Sequence, residues 1–150
     1  MNVEGAVTVR GIAELVLLAM LLVAVVRLGA WDEPVEEDIY GMWTGTHENK
    51  EISLNFAYDG VCTMTLVRLD NGSEETIKGN FMLDFSKDPI VMSIENVPQL
   101  NHPLHTVVKF LSEDTILVGY MAPRWRLRPV AFGAGNEFRL KRVKSPTGSS

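Results

Sequence analysis

From residue 41 onward apolar and polar residues alternate with a period of two, in short runs separated by turn residues, whereas before residue 32 they do not alternate. The clearest run is 51–57, where Ile52, Leu54 and Phe56 fall on one face and Glu51, Ser53 and Asn55 on the other, as in a half-buried strand. Tyr58-Asp59-Gly60 turns the chain into 61–69, with Cys62, Met64 and Leu66 on one face, and Asp70-Asn71-Gly72-Ser73 turns it again. Run 75–85 puts Ile77, Gly79, Phe81, Leu83 and Phe85 together, and its glycine predicts a bend or bulge. Runs 90–97, 106–111, 116–121 and 138–143 follow, and 42–48 leads, which makes about eight strands. Many short strands joined by tight turns, with no helical periodicity after residue 40, predict a mainly β domain: an antiparallel meander closing into a barrel, since closure removes exposed edges.

Residues 12–31, IAELVLLAMLLVAVVRLGAW, are the one long apolar stretch. Twenty residues span about 30 Å as a helix, with Glu14 near one membrane interface, Arg27 placed to snorkel to the other and Trp31 at headgroup level. The uninterrupted apolar core, 15–26, is of signal-peptide length, although Leu28 stands where a cleavage site after Ala30 would prefer a small residue, and Glu4 weakens the positive amino-terminal region. Residues 1–31 therefore read as a transmembrane anchor, with a signal peptide as the alternative. Residues 32–38 read as an acidic linker, 39–143 as the barrel and 144–150 as a disordered tail. The acidic stretch favours a single-pass protein of the cell membrane with its domain on the extracytoplasmic side; cleavage would make it secreted or periplasmic.

Charge narrows the partners. The net charge of -5 falls entirely in the first 38 residues, so residues 39–150 sum to zero, and no nucleic-acid partner is expected. Within the domain the bases gather near the end, in 124–144. In an extended chain Arg124, Arg126 and Arg128 would line one side and Trp125 with Leu127 the other. Such a ribbon can grip anionic headgroups, a carboxylate or an acidic partner subunit, and it also reads as a charged edge strand.

Gly41-Met42-Trp43 resembles the G-x-W opening of lipocalin-type (calycin-type) barrels. The run 79–89, GNFMLDFSKDP, with Arg128-Pro129-Val130-Ala131-Phe132 and the closing Arg139-Leu140-Lys141-Arg142-Val143, is similar to a bacterial lipocalin-like domain family of small secreted or membrane-attached proteins, mostly without an assigned activity. The resemblance covers roughly residues 39 to 143 and implies a fold more than a function. It implies that Trp43 plugs one barrel end and that Arg139 or Arg142 covers it. The chain lacks the T-D-Y loop motif of transport lipocalins and the R-x-Y pair with which fatty-acid-binding barrels hold a carboxylate.

No catalytic residue, metal or cofactor is read from the sequence, and the chain is taken as non-enzymatic: no Ser-His-Asp order, phosphate loop, Rossmann glycines or C-x-x-C occurs. His102 and His105 flank Pro103-Leu104 and would need a third ligand, from His47, Glu48 or Glu95, to hold a metal; a solvated loop is the plainer reading. Cys62, the single cysteine, shares a face with Met64 and Leu66 and reads as a buried thiol. Two functions remain. The first is an interaction module, an accessory subunit of a larger membrane or extracytoplasmic assembly that docks through Arg124, Trp125, Arg126 and Arg128 and through exposed strands. The alternative is a binder of a small hydrophobic ligand inside the barrel, lined by residues such as Phe56, Met64, Leu66, Phe81, Val108 and Phe110.

Overall fold

The computed structural model describes residues 32–133 and 135–144. The expected helix over 1–31, and the tail beyond Lys144, lie outside the described residues; among those described, no helix is long and apolar enough to cross a membrane. Eight strands follow in order: β1 (Gly41–His47), β2 (Lys50–Phe56), β3 (Val61–Arg68), β4 (Glu74–Asp84), β5 (Ile90–Glu95), β6 (Leu104–Ser112), β7 (Thr115–Gly119) and β8 (Glu137–Arg142). Each pairs antiparallel with the next, and β8 returns to β1 through Trp43↔Arg142 and Thr44↔Lys141, closing the barrel. The expected meander is present, with strand bounds shifted by one or two residues.

Because strand direction alternates, the connections sort onto two ends. One end carries the chain entry before β1, the 57–60 and 113–114 turns and the 85–89 connection. The other carries the β1–β2 turn and the 69–73, 96–103 and 120–136 loops.

The entry end is filled by buried side chains. The acidic stretch does not run past the barrel as a plain linker: Glu36–Ile39 forms a 3₁₀ turn, Asp38 Oδ2 accepts a hydrogen bond from the Val35 amide at 2.9 Å, and Ile39 is fully buried. Trp43, also fully buried, donates from Nε1 to the Ile39 carbonyl at 2.7 Å. Phe110 meets its ring edge-on at 6.2 Å, and Phe56 meets Phe81 in the same manner at 5.0 Å. Leu140, Ile116, Met92 and Val108 complete the core.

Arg142 closes this end. Its guanidinium lies 4.2 Å from the Trp43 ring centroid and donates to the carbonyls of Asp38 (2.6 Å), Tyr40 (2.7 Å) and Glu113 (3.2 Å). Arg139, the other candidate, is exposed on the outer face, because the inward stripe of β8 runs Phe138, Leu140, Arg142.

Two expectations are corrected. Gly79 makes no bulge: it pairs in register with Cys62, and it is glycine because a Cβ there would stand 2.5 Å from the Glu95 carbonyl oxygen and 2.9 Å from Val97 Cγ2. The register shift lies instead between Phe110 and Ser112. The arginine segment is not an extended ribbon either, since Trp125–Leu127 is a 3₁₀ turn with the Leu127 amide bonded to the Arg124 carbonyl at 2.9 Å. With β7 paired on both sides by β6 and β8, a closed barrel offers no edge for a further strand to join.

Candidate functional site

Above the packed layer, at the end opposite Trp43, the interior is not filled. A cavity of about 260 Å³ opens there, just under the usual range for small-molecule sites. Its apolar wall comes from Ile52 and Leu54 on β2, Met64 and Leu66 on β3, Val118 on β7 and Phe138 on β8. Met121, just beyond β7, adds a second thioether, and methionines adapt readily to irregular ligand shapes. The rim is polar: His47, Glu48, Lys50 and Tyr120.

Period-two alternation places three of the four rim side chains, and the fourth, Glu48, sits in the β1–β2 turn. Trp43, Gly45 and His47 share the inward face of β1, Lys50 continues the inward stripe of Ile52, Leu54 and Phe56, and Tyr120 continues that of Ile116 and Val118. Gly45 leaves no room for a side chain, because a Cβ would fall on the Arg139 carbonyl and stand 2.9 Å from Leu140 Cδ2.

Three rings form one side of the mouth. Tyr120 stacks on Phe138 at 4.8 Å, and His47 meets Phe138 edge-on at 5.3 Å and Tyr120 at 5.7 Å. The Tyr120 hydroxyl and His47 Nε2 are hydrogen-bonded at 2.7 Å. This joins β1 to the start of the 120–136 loop and fixes the ring faces toward the cavity.

Of the six interior residues expected to line a ligand site, Met64 and Leu66 do so. Phe56, Phe81, Val108 and Phe110 are buried in the packed core and do not line the cavity. On the β4–β5 side the space is taken by Val97, which folds in from the 96–103 loop and is 4 % exposed. Sequence reading missed His47, Glu48, Lys50, Val118, Tyr120, Met121 and Phe138 as lining residues. Extending each inward stripe one step past its last aliphatic residue finds His47, Lys50 and Tyr120.

The arginine-bearing loop belongs to the same open end, since residues 120–136 connect β7 to β8 there. Arg124 and Arg126 are exposed, and Arg128 is half-buried. They do not line the cavity.

The remaining candidates are structural. His102 sits in the 96–103 loop with Nδ1 3.0 Å from the Pro103 carbonyl oxygen, and His105 bridges to Ala122 through backbone hydrogen bonds. Among the described residues no three His, Cys, Asp or Glu side chains gather as a metal site. Cys62 is buried among apolar neighbours, which pushes its thiol pKa up to about 12 and keeps it un-ionised at neutral pH.

Comparison with protein-family models, curated proteins and solved structures finds no match to this chain, and so none that names a lipocalin-like family. The functional reading rests on the geometry of the barrel and its open end.

Proposed function

We propose that the barrel binds one small, mainly apolar ligand in the cavity at its open end, without chemistry of its own. The observation that carries this reading is the contrast between the two ends of one interior. Around Trp43 the inward side chains are buried in one apolar cluster, whereas the upper inward positions of β2, β3, β7 and β8 surround about 260 Å³. At ~30 Å³ per water-sized group, that space takes roughly nine such groups. A compact molecule of one or two rings suits it, and a long acyl chain does not, because the Trp43 plug blocks the far end. In this reading residues 12–31 hold the binder at a membrane or direct its secretion.

The interaction-module reading drew on an extended arginine ribbon, and the 3₁₀ turn at Trp125–Leu127 removes that geometry.

Fluorescence titration of the full-length protein with 2-naphthamide, an uncharged two-ring probe, tests the proposal. Saturable one-to-one binding is expected, together with at least a tenfold loss in Met64→Trp, which fills the cavity from β3 while leaving the Trp43 layer alone. Absence of saturable binding, or equal affinity in a folded Met64→Trp variant, contradicts it.

A further inference from the structure

The rim of the cavity carries an arrangement that an apolar ligand alone does not explain. Lys50 and Arg68 stand directly opposite each other in the β2–β3 register, and both continue inward stripes, Lys50 that of Ile52 and Leu54, Arg68 that of Met64 and Leu66. Like charges facing each other across a strand pair are destabilising, and a barrel mouth has no structural need of them. Among the described residues neither cation forms an ion pair; the pairs present are His47–Glu48, Arg142–Asp114 and Lys144–Asp114.

The two cations also connect two depressions. The cavity ends at Lys50 and Leu66, and a second hollow, lined by Lys50, Leu66, Arg68, Ser73, Glu74 and Glu75, begins at those same two residues. An apolar body in the cavity would therefore present its polar end between the Lys50 ammonium and the Arg68 guanidinium.

Carboxylates stand nearby and bear on the choice. Glu74 and Glu75 line the second hollow, and Glu48 lies beside His47 with its side chain 77 % exposed. Glu74 is opposite Val67 on the outward face; Glu75, opposite Leu66, is the acid on the inward face next to Arg68. Its carboxylate is not within ion-pairing distance of Arg68. The site is thus a local cation pair rather than a basic surface, and it selects a ligand already held by its apolar body.

We propose that the ligand is a compact organic anion, with a ring-sized apolar body in the cavity and one carboxylate bridging Lys50 and Arg68. This deepens the binding function proposed above and rests on it. The guanidinium supplies two parallel donors for the carboxylate oxygens, and the ammonium a third from the facing strand. Both cations are solvent-exposed, so the charge contribution is modest and sensitive to salt.

The test compares 2-naphthoate with 2-naphthamide, which share one apolar body, on the full-length protein. At low ionic strength 2-naphthoate is expected to bind about fivefold more tightly than 2-naphthamide, with the preference lost near 1 M NaCl and in Lys50→Gln/Arg68→Gln, where the two probes bind alike. Glu75→Gln is expected to raise the affinity for the anion alone. Equal binding of the two probes, or an anion preference that survives the double substitution, overturns the anion site and leaves the cavity reading standing. Binding of neither probe overturns both.

Discussion

Trp43 and Arg142 show how two side chains can close a barrel end. The indole removes a large apolar surface from water and satisfies its one donor on the Ile39 carbonyl. Arg142 then lies over the ring and gathers carbonyls from both the entry segment and the β6–β7 turn. Trp43→Ala is expected to destabilise the domain by about 3–5 kcal/mol, read by chemical denaturation, because the rigid neighbours Phe110 and Leu140 cannot collapse into the space. A loss under about 1 kcal/mol would mean that the ring carries little of the core. Alternation with Leu140 places Arg142, and not Arg139, on the inward face beside the buried Trp43. The half-empty mouth was not legible in the sequence, because the inward positions in β2 and β3 are apolar from Phe56 up to Ile52 and from Cys62 up to Leu66. Apolar character marks which face is inward and not how completely opposite walls meet.

Strands β2, β3, β4 and β8 were readable because they alternate over five or more residues, whereas β5 and β7 are nearly continuous apolar runs marked by their length and the turn residues around them. Errors arose where a local pattern had a second meaning. Gly79 interrupts a run of large inward residues and so resembles a bulge, yet the β3–β4 ladder is unbroken and the missing side chain admits Val97 and the Glu95 carbonyl instead. Gly79→Ala is therefore expected to cost about 2–3 kcal/mol by overpacking against backbone, although φ at this position is ordinary. A neutral outcome in thermal or denaturant unfolding would show that the 96–103 loop yields freely. Arg124-Trp125-Arg126-Leu127-Arg128 alternates like a strand, but alternation cannot report that all barrel edges are already paired. That constraint exists only once β8 has returned to β1.

As a whole the domain is a barrel with one finished end and one open end, and the chemistry divides along the same axis. Charged groups at the closed end are spent on structure, as Arg142 and Asp38 are. At the open end His47, Lys50 and Tyr120 rim the apolar cavity, and Arg68 lies in the adjoining polar hollow. The methionines sample this axis: Met64 and Met121 line the cavity, Met92 is fully buried outside its lining, and Met42 and Met82 are exposed on the outer wall. The decisive measurement is methionine-methyl NMR of the protein during titration with 2-naphthamide. Ring-current shifts that saturate together at Met64 and Met121, with Met42, Met82 and Met92 unmoved, are what a ligand in the open end predicts. Shifts confined to Met42 or Met82, or no saturable shift at any methyl, would contradict it.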